Sequence, residues 1–552
     1  MSRHFLPSRT AGLALIAAVA GCAPVGPDYK PPTPQWTPSS WTAGSPAPVK
    51  PVKDTISTAV PQPVDPQWWT VFHDDELTAL EKRLAAANFD VQTASMRLAE
   101  SRASFGVAQA NLLPTVDANA NYTRQLLARE GVLGLFPLPG APTTASSHSS
   151  SASTGGLANT PLSATPGATG ANGLAGTQGG VPNLGQLFQP FNLYQFGFDT
   201  SWEIDLWGRV RRNIESAQAA IQQNADAQRD VLLTALAEMA RDYIQLRGVQ
   251  RNIEITERNL DTAKQSLDLT QQRATGGVTT DLDVANAAAQ VETVESQLPS
   301  LRGQERQIIN AIAFLVGQPP DSMQAELSVT HPIPPVPPQV PVGLPSELAR
   351  RRPDIREAES QLHQATATVG VAVADFYPRF VISGSIGLQA IEAKYLGSWY
   401  NAGNYSFGPY VSLPIFEGGM LHRVLELRQD QQKEAAIAYQ RTVLNALHEV
   451  SNGLIAYDAE QHRHNRLEQA VVQNRRAVQL AQDRYGQGVA DFLSVLEAEQ
   501  NLLAAEQQLT DSVTSVSTDL VQIYKALGGG WEPDLPDKPG GEKGGSLMDN
   551  VL

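Results

Sequence analysis

The sequence predicts a membrane protein of mixed α and β structure, built from one unit used twice. Each unit carries two strands and a very long helical hairpin. Three observations predict this: an internal duplication, a switch of the apolar period from helical to alternating, and two proline-free runs too long for a globular core.

The duplication comes first because it sets the boundaries. Residues 196–298 lie over residues 407–509 without a gap. The offset is constant, since Arg484 minus Arg273 is 211 and Gly419 minus Gly208 is 211. Arg212 falls on Arg423, Glu215 on Glu426, Gly277 on Gly488 and Leu282 on Leu493. Such self-similarity marks one structural unit repeated. Upstream the match continues at another offset, for Pro378 minus Pro114 is 264, as is Gly370 minus Gly106. Because 264 minus 211 is 53, copy one carries about 53 extra residues between Pro114 and Phe196. They fall in the tract at 129–187, dominated by Ser, Thr, Gly, Ala and Pro. With little to bury, it reads as a mobile surface loop, dispensable for folding.

Along the chain, Arg3 and Arg9 precede an apolar run at 11–20 that ends in Val19-Ala20-Gly21-Cys22. That is the pattern of a signal peptide over residues 1–21. The run is too short to span a bilayer. Cys22 is the single cysteine, so no disulfide forms within the chain. A cysteine after small residues resembles the bacterial lipobox, which implies cleavage before Cys22 and its lipidation. Ala23 follows where an Asp would imply retention at the inner membrane. The competing reading is an ordinary signal peptide that contains a cysteine. The net charge of -15 argues against nucleic acid as a partner.

Residues 22–66 are Pro-rich and read as an extended lipid-anchor segment. Repeat 1 spans 67–330, a Pro-rich linker 331–345, and repeat 2 spans 346–527. Residues 75–111 have helical apolar spacing, with Leu77, Leu80, Leu84, Val91, Ala94 and Leu98. Then the period becomes two. Strands are expected at about 115–124, 193–203, 379–389 and 405–414. Tyr194, Phe196, Phe198 and Trp202 alternate with polar or small residues, as do Tyr405 and Phe407. One aromatic, apolar face against one polar face is the pattern of a membrane barrel wall, with these six aromatics facing lipid. Each second strand leads into a helix at 208–273 or 419–484, runs of 66 residues without proline. Each could reach about 100 Å, which implies coiled-coil packing. Gly-containing turns follow, then return helices at about 282–316 and 492–527. Residues 528–552, rich in Gly, Pro and charge, read as a disordered tail.

Four strands cannot close a barrel, and an open edge in hydrocarbon strands its amides at several kcal/mol each. Chains must therefore pool strands, to eight or to twelve. The segments Asp205-Leu206-Trp207-Gly208-Arg209, Arg351-Arg352-Pro353-Asp354-Ile355-Arg356-Glu357-Ala358-Glu359, Pro414-Ile415-Phe416-Glu417-Gly418-Gly419 and Arg484-Tyr485-Gly486-Gln487-Gly488-Val489, with Gly21-Cys22, resemble the TolC-type outer-membrane factor family in its lipoprotein (NodT-like) branch. The resemblance implies a homotrimer whose 12-stranded β-barrel is continuous with a 12-helix periplasmic coiled-coil barrel, in the outer membrane of a Gram-negative bacterium. It implies the exit duct of a tripartite efflux pump, partnered by a periplasmic adaptor and an inner-membrane transporter. An exit pore for protein secretion is the close variant, and a pore-less periplasmic coiled-coil lipoprotein the other alternative. The outward aromatics speak against the latter.

No catalytic or metal-binding constellation is visible, and no cofactor is expected. His462 and His464 are two apart and point to different faces of a helix. What a duct needs is a gate at the helix turns. Leu493 and Glu497 are four apart and share a face. The resemblance maps the family's aperture positions onto Tyr485, Leu493 and Glu497. In copy one Asp283 falls at the partner of Ser494, with Asp281 nearby. Carboxylate rings at a constriction favour cations.

Overall fold

The structure, a computed structural model, describes residues 24–32, 41, 57–126 and 190–535. The expected leader, Cys22, the loop at 129–187 and most of the tail lie outside the described residues. The described residues fold as two compact units, one drawn from within Met1–Leu112, Asp205–Pro378 and Leu413–Leu552, the other from within Leu113–Ile204 and Arg379–Ser412.

The first unit is helical. Its long helices are α1 (Asp75–Ala87), α2 (Phe89–Ala110), α3 (Arg209–Thr275), α4 (Asp281–Glu295), α5 (Gln297–Leu315), α6 (Pro353–Ala374), α7 (Met420–Gly486) and α8 (Phe492–Leu527). The duplication survives to the residue: α3 and α7 are each 67 residues long and start 211 apart (420 minus 209). Helices α2 and α6 each span 22 residues and start 264 apart (353 minus 89). Both hairpins turn through the same backbone motif. Gly277 and Gly488 adopt positive φ, 71° and 76°. The following amides, Val278 and Val489, donate to Arg273 and Arg484 carbonyls at 2.9 Å. This i to i−5 bond satisfies carbonyls the helix end leaves open, and glycine supplies the left-handed step without a Cβ penalty.

Two helical expectations are corrected. The stretch at 75–111 is two helices, because Asn88 is extended and its side chain accepts from the Asp90 and Val91 amides. Its amide group donates to the Leu315 carbonyl at 2.9 Å, tying the break to α5. Leu84 and Val91 keep a helical spacing across the break, which hid it. The return helix at 282–316 is likewise interrupted, at Ser296. Pro299 lacks the N–H that would reach the Glu295 carbonyl. Its counterpart in copy two is Thr510, and α8 runs unbroken for 36 residues.

The main core collects α1, the middle of α3, the end of α5, the middle of α7 and the end of α8 around Trp68, Phe72, Met239 and Tyr524. Leu77, Leu80 and Leu84 place the stripe of α1 in it at 1 % exposure or less. Each such side chain contributes about 1.5–3 kcal/mol. The Pro-rich anchor segment, read as extended, and the Pro-rich linker supply a short parallel pair, β1 (Thr58–Val60) on β4 (Gln339–Pro341). The tail expectation is corrected at its start. Trp531 is 3 % exposed, its indole N–H reaches the Gly528 carbonyl at 3.0 Å, and Leu535 packs on the core. A composition of Gly, Pro and charge concealed one anchoring tryptophan.

On α8, burial pushes the Asp519 carboxyl up to about 6, and the Glu460 charge adds to the rise. A folded value above the unfolded 3.8 means the native state holds its proton longer. Stability from this site is therefore complete below about pH 4 and is lost as pH rises through 6. Asp519→Asn should flatten that fall, read as heat-dissociation temperature against pH. An unchanged profile would refute the assignment.

The second unit is a four-stranded sheet of β2 (Thr115–Gln125), β3 (Phe191–Ile204), β5 (Arg379–Ala390) and β6 (Gly403–Ser412). The order is β2-β3-β5-β6, antiparallel throughout. The last strand starts and ends two residues before its expected place at 405–414. Among the described residues no helix is long and apolar enough to cross a membrane.

Candidate functional site

The sheet's register places most aromatics on one face and most polar side chains on the other, with Leu193, Val381 and Tyr410 among the apolar exceptions on the polar side. Ala118, Phe198, Ile386 and Tyr405 form one row across all four strands, and Ala120, Phe196 and Leu388 the next. Tyr122 and Tyr194 pair beside them, ring centroids 5.0 Å apart. Tyr194, Phe196, Phe198, Trp202, Tyr405 and Phe407 thus stand on a single face. They are not buried by this chain: Tyr405 is 80 % exposed and Phe407 75 %. The opposite face carries the row Asp117, Asp199, Ser385 and Ser406, and the row Asn121, Gln195 and Gln389. Cross-strand hydrogen bonds join it, Ser385 to Ser406 at 2.8 Å and Asn404 to Gln389 at 3.0 Å. Asn119 also donates to Asp199. An apolar face of this extent marks contact with lipid or another apolar partner. The strands β2 and β6 each have one edge without a strand partner among the described residues.

In the helical unit the hairpin turns meet at a small core of Ala287, Tyr485, Phe492 and Val495. Tyr485 is 4 % exposed, with Phe492 at 5.5 Å and the Arg273 guanidinium 4.7 Å over its ring. Arg273 donates to the Gly486 carbonyl at 3.0 Å, so copy one's helix is tied to copy two's turn. The structure therefore places Tyr485 as an internal packing residue of the turn, apart from Leu493 and Glu497. Leu493 and Glu497 lie on the outward side of α8, while Phe492, Val495 and Glu499 are buried. The copy-one counterpart of Glu497 is Asn286, which is uncharged, so only the second hairpin offers this carboxylate.

Asp281 and Asp283 are likewise separated. Asp283 completes a capping box with Thr280 at the start of α4. A hydrogen bond from Thr279 and two from Thr280 hold its carboxyl below the usual range, outweighing slight burial. All three bonds go to Oδ2, so one of its carboxylate oxygens is engaged in its own helix terminus. Asp281 is exposed in the first turn, where negative charge suits the helix dipole.

Sequence reasoning missed three residues here. Arg273 is one. Glu499 is buried between α3, α7 and α8, accepting from Ser266 at 2.7 Å and Gln482 at 3.1 Å. Burial pushes its carboxyl up against those hydrogen bonds. Glu506 accepts from Arg475 at 2.7 Å and pairs with Arg258 at 3.4 Å. The seven-residue spacing of Glu499 and Glu506 was the available signal, since it puts both on one helix face. Among the described residues no group of three or more His, Cys, Asp or Glu could hold a metal ion.

The family model described as outer membrane efflux protein matches residues 176–318 and 344–529. A solvent efflux pump outer membrane protein of Pseudomonas putida is 32% identical over 345 residues, 61% of this chain and 71% of that one. Nodulation protein T of Rhizobium leguminosarum bv. trifolii is 27% identical, over 93% of this chain and 96% of its own. The solved structure of the outer-membrane channel OprN is similar at TM-score 0.74 and 30% identity, covering 92% of this chain and 100% of that one.

Proposed function

The chain belongs to the outer membrane efflux protein family and is an outer-membrane exit duct of a tripartite efflux system, and from that premise we propose how it is assembled and what it conducts. The observation that carries the reading is the two-faced sheet with two open edges. In hydrocarbon those edges must be paired. Three chains joining β2 of one to β6 of the next give twelve strands, the closure the family resemblance implies. The aromatic face then meets lipid, and the row of Asp117, Asp199, Ser385 and Ser406 lines a water-filled lumen. A polar lumen conducts by size and charge, so the cargo is small molecules, drugs among them. The pump that loads the duct selects the cargo, and a periplasmic adaptor joins the two. Cys22 carries the lipid.

Inter-chain disulfides test the closure. A cysteine at Ala118, Ala120 or Tyr122 combined with one at Tyr405 or Phe407 should trap a covalent trimer in outer membranes. Products that stop at the dimer, or chains that never cross-link, would overturn the twelve-stranded assembly. Reconstituted trimers should conduct ions across planar bilayers, as a duct must.

A further inference from the structure

Residues 24–29 lie as an ordered segment against α3 and α6, far from them in sequence. The Val25 amide donates to the Trp207 carbonyl at 3.0 Å, and Arg212 donates to the Val25 carbonyl at 3.3 Å. The same guanidinium pairs with Asp28 at 2.6 Å and Glu215 at 2.7 Å, its side chain only 4% exposed. Glu215 in turn meets His363 of α6 at 3.0 Å. The Tyr29 ring stacks on His363 with centroids 4.2 Å apart, and its hydroxyl donates to Glu359 at 3.1 Å. Burial tends to raise Glu215, but its hydrogen bonds to Arg212 and His363 prevail and hold it below its ordinary range. The backbone fit is as tight. Gly26 has φ +93°, and a Cβ there would stand 2.6 Å from the Gly370 Cα. A Cβ on Gly208 would meet Pro24.

Two facts of connectivity give this contact a role. Helix α3 begins five residues after β3 ends at Ile204, and α6 ends at Ala374, five before β5 begins. The segment thus bridges the two helices that continue the paired strands β3 and β5, the seam between the copies. Cys22 is two residues before Pro24, so its reach from this contact is at most about 7 Å.

We propose that residues 24–29 are a strap that fixes the lipid-bearing N-terminus on α3 and α6, so that acylated Cys22 is a pin at the seam rather than a loose tether. Arg212, Asp28 and Tyr29 are its positioning residues. The proposal rests on the lipidation reading of Cys22. The contacts that hold the strap come from α3 and α6 of its own chain, so they need no second chain to form.

The test is a double-mutant cycle with Gly26→Val, which lies wholly on the strap, and Cys22→Ser. Fatty-acid labelling, chymotryptic cleavage after Tyr29 and the rate of heat-resistant oligomer formation are followed in full-length protein. Gly26→Val should keep the label, raise cleavage after Tyr29 about tenfold as the docked population falls, and assemble as slowly as Cys22→Ser. The double variant should be no slower than either, because a pin fails when its point or its head is lost. Independent, multiplying defects would show that strap and lipid act separately and overturn the proposal, as would wild-type assembly of Gly26→Val despite faster cleavage. A wild-type chain that takes no label would overturn the pin through the lipidation reading, while conductance of its oligomers tests the duct separately.

Discussion

Arg247→Met should cost the helical unit about 3 kcal/mol, the low end for breaking a buried ion pair, because the Glu76 side chain left behind is 23% exposed. The Arg247 side chain is fully buried, and it pairs with Glu76 at the start of α1. It also donates to Gln250 and to the Val329 carbonyl, each at 2.7 Å, and lies 4.7 Å over the Tyr243 ring. Tyr243 reaches back to Asp74 at 2.9 Å and Glu76 at 3.1 Å. One guanidinium therefore holds the start of α1 and residues 327–329 to the middle of α3. Methionine fills much of the volume but removes the guanidinium from the Glu76 carboxylate, leaving it the Tyr243 hydroxyl, and takes a donor from the Val329 carbonyl. Removing the acid as well, in Arg247→Met with Glu76→Leu, should recover part of the loss, since an apolar pair avoids the stranded charge. Thermal unfolding followed by circular dichroism reads both. A single variant that melts with the wild type, or a double variant that melts below the single, would refute this account.

The parts of this fold that the sequence disclosed are those where a period repeats. The offsets of 211 and 264 predicted paired helices, and the helices start at those offsets to the residue. Alternation predicted which six aromatics share a face, because side chains in a strand have only two faces to occupy. What stayed hidden depends on single residues acting out of period. Asn88 breaks a helix by capping the next one, with Leu84 and Val91 still in step on either side. Trp531 anchors a stretch whose composition reads as tail. Tyr485 was assigned to an aperture by family position alone, and nothing local in the sequence shows that Arg273, 212 residues earlier, covers its ring. The strap was illegible for the same reason: Pro24 to Tyr29 has an irregular composition, and its partners are contributed by α3 and α6.

Replacing Leu493 and Glu497 with Ala and Ser should raise single-channel conductance in planar bilayers, with the trimer intact. Both side chains project outward from the first turns of α8, on the side away from Phe492, Val495 and Glu499. Three copies brought together at the hairpin turns would set a ring of leucines beside a ring of carboxylates. In such a ring the carboxylates would repel one another, closure would be marginal, and an adaptor that splayed the hairpins would need little work to open it. Glu497→Gln should keep the size of the opening but weaken the preference for cations. Tyr485 makes the contrast. As an internal packing residue, Tyr485→Ala should leave a cavity costing about 3–5 kcal/mol. That loss falls on the small core it shares with Ala287 and Val495, so the hairpins should loosen and openings should become more frequent rather than larger. Tyr485→Phe should change little, since the hydroxyl's one contact, with Thr270, is long at 3.5 Å. Substitution of Trp202 on the sheet's aromatic face should leave conductance unaltered. A Leu493 and Glu497 double variant that forms trimers yet conducts as the wild type does would place the constriction elsewhere along the duct.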